Sequence, residues 1–407
     1  MSSGFSEQAP APTPAPYRFL IEALLFLSYL VFGLSWIGYS PFLGNFQARY
    51  ALSHGQAGLL ISAVSFAKIF VPFLAGWLAV RFGIKRGLLL GMACICASLL
   101  TPFATDYVLV LASRFVLGMG GAVVVTLFGP AVLQWFPPKE RPVVNGINGV
   151  AVNAGITLSL FITVPLAERL GRTETLAGYA LVSVALTLGW WIFGRDRGPT
   201  KAAQAAGPSE RYSDVLRAKE TWFLAIGFAG PLSLYLVFNT WLPTFYKEAL
   251  GLSLAQGSQL AGLANLVGIP AAIVGGFLTR RSGVRRPWIW GAGMAVCVSS
   301  FGLFLGRDVT WLTVSAVVYG ISIFIWVSPL TTLAMELPGM TPARLGMVMG
   351  VFFGGSYIVA FFAPVLTGMI RDATGSFVPG FVLFALSCWT LVAAGFLLPE
   401  TGSRPVP

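Results

Sequence analysis

Charge is what this chain most lacks. Only 10% of its 407 residues are Asp, Glu, Lys or Arg, against roughly a quarter in a soluble domain. Too little charge is present to coat a water-facing surface, so a soluble fold is excluded. Histidine is nearly missing too: His54 is the single one, which leaves no His-based metal centre or catalytic triad. No Gly-rich loop ending in Lys-Ser/Thr occurs, so no ATP site drives a cycle. The four cysteines (Cys94, Cys96, Cys297, Cys388) lie in apolar runs without metal-like spacing and read as small core residues. The first 18 residues are rich in Pro and Ala and lack the charged start and cleavage site of a signal peptide; they are expected to be a disordered tail. These absences leave neither an enzyme nor a cofactor or metal site to expect.

What fills the chain is apolar sequence: 56% hydrophobic residues and a mean hydropathy of +0.79. Runs of about twenty apolar residues, each long enough to cross ~30 Å of hydrocarbon, predict twelve spans. They lie near 19–43, 56–79, 87–105, 108–135, 144–167, 175–194, 221–246, 256–279, 287–305, 310–335, 345–370 and 377–398. Eighteen of the 26 Lys and Arg fall on the side of the termini, six on the other, and two (Lys68 and Arg114) within spans. That bias places both termini in the cytoplasm, in a multi-pass protein of the cytoplasmic (inner) membrane. The net charge of +11 is therefore topology and not a nucleic-acid footprint. The expected organisation is a tail (1–18), six helices (19–194), a cytoplasmic central loop (195–220), six helices (221–398) and a C-terminal tail (399–407).

The two sets of six are copies. LSHGQAGLLISAVSFAKIFVPFLAGWLAVRFGIKR, from Leu52 to Arg86, returns without gaps as LSLAQGSQLAGLANLVGIPAAIVGGFLTRRSGVRR, from Leu252 to Arg286. The matches include Ser53 with Ser253, Gln56 with Gln256, Gly76 with Gly276, Arg81 with Arg281, Gly83 with Gly283 and Arg86 with Arg286. Chance likeness between greasy helices yields Leu and Val matches, not Gln, Gly and Arg in register. Parallel halves of this kind place a substrate site at their interface near the bilayer midplane.

GWLAVRFGIKR (Gly76 to Arg86), with its degenerate copy GFLTRRSGVRR, resembles the loop signature of the major facilitator superfamily. The run from Arg114 through Gly118 to Gly120 resembles that family's fourth-span motif. The resemblance implies an all-α membrane protein of twelve transmembrane helices in two pseudo-symmetric six-helix halves. It also implies a gate at Gly76, Arg81, Gly83, Arg86, Gly276, Arg281, Gly283 and Arg286, and function as a monomer. Val80 stands where the family's loop carboxylate would be, so the outward-open latch is expected to be weaker. WFPPKER followed by NGINGVAVNAG, with Asn153-Ala154-Gly155, is similar to nitrate/nitrite porters and cyanate-permease-like carriers. Those porters hold the anion between two arginines, in spans two and eight; here the positions carry Lys68 and Gly268.

Lys68 lies near mid-membrane, where a charge costs about 2.5–3.5 kcal/mol on insertion scales, so it should face a cavity or partner. No Asp or Glu falls near the middle of any span, with Glu22 and Glu336 close to ends. A bound anion would supply the missing counter-charge; the alternative is a structural Lys on backbone carbonyls or carried as the neutral amine. Ser65 lies one turn away on the same face. Arg114 reads equally as a substrate group or a structural clamp. Asn153, Asn239 and Asn265 place amides in hydrocarbon, as substrate ligands or interhelical glue. Tyr39 and Tyr235 fall in spans that line the pathway in the superfamily and are oxyanion donors or core. The reading is a secondary transporter moving a small anion (an inorganic oxyanion, a cyanate-like ion or a small organic acid) by alternating access, its coupling ion, a proton or none, left open. Proton-driven efflux of amphipathic compounds is the alternative, and a non-transporting receptor or assembly protein a further one.

Overall fold

The computed structural model describes residues 15–137, 139–196 and 212–402, with the side chains of 15, 72–80, 142, 342 and 343 outside that description. Helix α1 (Ala15–Ile37) and the short α2 (Leu43–Tyr50) make the first span. Then come α3 (His54–Phe82), α4 (Ile84–Ile95), α5 (Tyr107–Trp135), α6 (Arg141–Leu170) and α7 (Arg172–Phe193). A surface turn, α8 (Tyr212–Arg217), leads into α9 (Lys219–Leu250), α10 (Leu254–Ser282) and α11 (Arg286–Leu305). Next are α12 (Val309–Ile325) with its continuation α13 (Val327–Met335), α14 (Pro342–Thr374), and α15 (Val378–Ser387) with α16 (Trp389–Leu397). Twelve of these segments are long and apolar enough to cross a bilayer, as the apolar runs predict.

The chain departs from the sequence reading at the joints. Helix begins at Ala15, so residues 15–18 of the expected tail belong to the first span, and the expected central loop contains α8 and the start of α9. The expected C-terminal tail is anchored through Glu400, which accepts from the backbone N–H of Arg285 and Arg286 at 2.8 and 3.0 Å. Residues 1–14, 197–211 and 403–407 of these segments lie outside the described residues. The first span stops being regular helix at Ile37, well before residue 43, and the tenth breaks at Trp326 just ahead of Pro329, whose ring cannot continue the hydrogen-bond ladder.

The repeat in sequence is a repeat in structure. Helices α3 and α10 have the same length and the same limits displaced by 200 residues. Each is started by a reciprocal capping box. Gln56 N–H donates to Ser53 Oγ and Ser53 N–H to Gln56 Oε1, at 3.2 and 2.9 Å; Gln256 and Ser253 do the same at 3.2 and 3.1 Å. Each copy ends at a glycine of positive φ, Gly83 at +84° and Gly283 at +65°, a conformation that a side chain resists.

The first six spans meet the last six along two seams, α3 on α14 and α6 on α10. At the face opposite the termini the α3–α14 seam is closed backbone to backbone. A Cβ on Gly58 would stand 2.7 Å from Pro364 O, and one on Gly55 2.6 Å from the Met369 side chain. Asp372 completes the closure, accepting from His54 Nδ1 at 2.6 Å and from the N–H of His54 and Gly55 at 3.0 Å each. Gly58→Leu is therefore expected to wedge this seam open, because the neighbour is backbone and cannot yield. Spin labels at the exposed positions Asn45 and Ala373 should report a longer distance in the variant; an unchanged distribution would place the gate elsewhere.

Candidate functional site

Lys68 sits midway along α3 and is 5% exposed. Its Nζ donates to Tyr357 Oη of α14 at 3.3 Å. Three aromatic faces surround it: Trp36 at 4.1 Å, Phe32 at 5.0 Å and Tyr357 at 5.2 Å from the ring centroids. The local sequence builds this cage. Phe32 and Trp36 are four apart on α1 and so share a face, and Gly121 of α5 leaves the space that the Phe32 ring fills. None of the ion pairs among the described residues includes Lys68. Desolvated cation–π contacts are worth about 2 kcal/mol, which offsets part of the insertion cost and leaves the charge unneutralised.

Arg114 is fully buried and turned to backbone. Its Nε donates to Leu60 O at 3.0 Å, one terminal nitrogen to Ser35 O at 2.7 Å and the other to Trp36 O. Ser35 and Trp36 are in the last turn of α1, whose carbonyls have no helical partner. The guanidinium thus caps the helix that carries the Lys68 cage. Tyr39 covers it, with the guanidinium carbon 4.5 Å from the ring centroid, so the structure brings Tyr39 to Arg114 and not to Lys68.

A second polar group spans the interface. Tyr235 Oη of α9 donates to Asn153 Oδ1 of α6 at 3.0 Å. Asn239 Nδ2 donates to Tyr235 O at 2.8 Å, and Asn265 Nδ2 to Asn239 Oδ1 at 2.8 Å. Tyr235, Asn239 and Asn265 line a cavity of about 10 Å³ together with Tyr319 and Phe324, room for about one water. Tyr235 is on α9, which packs along α14, the helix of Tyr357, the partner of Lys68. Ser65 Oγ is buried with no partner among the described residues. Gly268, which the repeat aligns with Lys68, lies against Phe324 so closely that even a Cβ would collide with its ring. Phenylalanine occupies the place of a second cation.

The loop signature is held by carboxylates from the ends of spans six and twelve. Asp196 Oδ1 accepts from Lys85 N–H at 2.7 Å at the start of α4, as Glu400 does at the start of α11. Arg81 and Arg281 close α3 and α10, where a cation suits the carbonyl end of a helix. Arg86 is exposed, whereas Arg286 donates to Gly395 O and Phe396 O at 2.9 and 2.6 Å. A Cβ added at Gly276 would meet only Ser328, at ordinary contact distance; Gly76 and Val80 fall in 72–80.

Sequence reasoning missed Trp36, Phe32, Tyr357 and Tyr319. Four-residue spacing on span one was the available signal for the first two. Sequence reasoning set Glu22 aside as close to a span end; the side chain is only 9% exposed, with α6's Asn148 beside it.

Comparison with known proteins agrees with this architecture. A probable sulfoacetate transporter of Cupriavidus necator is 26% identical over 388 residues, 88% of this chain and 89% of its own. The nitrite extrusion protein of Bacillus subtilis is 24% identical over 378 residues, 90% and 91% of the two chains. The crystal structure of a D-xylose-proton symporter superposes with a TM-score of 0.69 over 95% of this chain and 98% of that one, at 14% identity, a likeness of fold. The profile of the Major Facilitator Superfamily matches residues 25–364, and with twelve spans in a matching fold the chain belongs to that superfamily, as a transporter and not an enzyme.

Proposed function

We propose that this transporter moves a small anion, bound at the Lys68 cage, by rocking its first six spans (19–194) against its last six (221–398). The observation that carries the reading is a buried ammonium held by aromatic faces and one hydroxyl, with no carboxylate paired to it among the described residues. An anion entering this site gains a charge-assisted contact in a low dielectric, which a neutral or cationic substrate forfeits. Two of the relatives are named for anions, sulfoacetate and nitrite, and this supports the same reading. The Lys/Arg bias supports a cytoplasmic-membrane location with both termini inside.

Thermal stability of the detergent-purified protein against nitrate, nitrite, cyanate, formate, oxalate and lactate tests the proposal, since a ligand of the folded state raises the melting point by mass action. At least one anion is expected to raise it. A response only to hydrophobic cations would replace anion transport with efflux of amphipathic compounds.

A further inference from the structure

The orientation of the amides in the last six spans is fixed by a group that cannot be reversed. Tyr235 O is a backbone carbonyl and only accepts, so Asn239 must present its Nδ2 there, at 2.8 Å. Its Oδ1 then faces Asn265, which must answer with Nδ2, at 2.8 Å. The Oδ1 of Asn265 is what remains, an acceptor buried without a partner; the Tyr319 hydroxyl is buried and unpartnered as well. Each residue is only 2% exposed, and both line the same cavity of about 10 Å³. One free group requires a donor and the other can offer one. A carboxylate answers only Tyr319; an ammonium could donate to both but would leave the Tyr319 proton without an acceptor and bring a cation that an anionic substrate does not carry. A group that donates and accepts together answers both, and a hydroxyl matches the cavity's size.

We infer that the cavity formed by Asn265, Tyr319, Asn239 and Tyr235 is a hydroxyl-binding subsite, and that the transported anion is a hydroxylated organic acid rather than a bare inorganic oxyanion. The inference rests on the Lys68 reading for the acid end of the molecule. The two ends lie on neighbouring helices: Tyr235 of α9 lines the cavity, and α9 packs along α14, whose Tyr357 bonds Lys68. The absence of a second cation fits: Phe324, against Gly268, closes one wall of the subsite with an aromatic edge and leaves recognition there to neutral groups.

The experiment compares affinities for matched acids, glycolate with acetate and lactate with propionate, with nitrate alongside. It uses the full-length wild type, Tyr319→Phe, Asn265→Leu and Lys68→Gln. Sites built to bond a hydroxyl reject analogues lacking it strongly, so the wild type is expected to prefer the hydroxylated member of at least one pair by about tenfold or more. Tyr319→Phe removes one oxygen at constant shape and should bring that ratio close to one; Asn265→Leu, which also takes the donor from Asn239 Oδ1, should collapse the ratio as well. Equal binding within both pairs in the wild type, or a ratio retained in both variants, would overturn the subsite and leave a structural water as its occupant. Nitrate binding as tightly as the hydroxy acids would overturn it too. The Lys68 reading fails separately: Lys68→Gln should weaken both members of a pair together, and unchanged affinity in that variant would remove the anion site while a persisting hydroxyl preference kept the subsite. No response to any acid would overturn both.

Discussion

Lys68→Gln is expected to reduce anion uptake by reconstituted protein about 100-fold, while leaving the melting point of the ligand-free protein within a degree or two of wild type or slightly above it. The two readouts move apart for a physical reason. A hydrogen bond to a charged group contributes about 1.5–3 kcal/mol, and each ~1.4 kcal/mol is tenfold in affinity. Losing the only cation of the cage should therefore cost up to about two orders of magnitude in binding. The same charge burdens the empty protein. Its insertion cost of about 2.5–3.5 kcal/mol is set against cation–π contacts of about 2 kcal/mol, so a neutral side chain of similar length is tolerated there. Lys68→Arg should be intermediate in uptake: charge is kept, but a planar fork does not fit a cage shaped around a compact ammonium whose Nζ stands 4.1 Å from the Trp36 ring centroid. A structural lysine predicts the opposite pattern, with stability falling and uptake per folded molecule unchanged. Near-normal uptake by Lys68→Gln would end the anion-site proposal.

How much of this was legible beforehand depends on how local the signal was. The capping boxes at Ser53–Gln56 and Ser253–Gln256 are complete within four residues, and the gap-free repeat fixes both seam helices, so α3 and α10 could be placed from sequence to within a few residues. The charge of Lys68 was equally visible, because a cation in an apolar run has no bland surroundings to hide in. Its cage was not. Phe32, Trp36 and Tyr357 come from the first and eleventh spans, and in a chain with 32 Phe, 12 Trp and 11 Tyr no single aromatic residue stands out. Tyr319 was invisible for the same reason, since its importance comes from a bond it does not make. Phe324 against Gly268 shows the limit of the repeat as a guide. The repeat correctly aligned Gly268 with Lys68, yet only packing reveals that a ring from α12 fills the position.

Arg114 is where sequence left two readings in balance, and the geometry separates them into different measurable outcomes. Arg114→Leu is expected to lower stability by roughly 3–5 kcal/mol, in the range for removing one partner from a buried charged network. Three carbonyls (Leu60, Ser35 and Trp36) would each lose a charge-assisted donor in a place water does not reach. Arg114→Lys should recover little of this, because the three acceptors lie around a fork and an ammonium on a flexible stem meets them in turn rather than together. Helix α1 ends at Ile37, so the Ser35 and Trp36 carbonyls of its last turn depend on an outside donor; removing it should loosen the end of α1 that holds Trp36 over Lys68. The protein that does fold is then expected to bind its anion more weakly only by a small factor, through a less ordered cage, and to lose most of its activity through reduced melting point and yield. A direct substrate role predicts the reverse. Melting point and yield would stay near wild type in Arg114→Leu while anion affinity fell as far as in Lys68→Gln, and that result would move Arg114 from the end of α1 into the binding site.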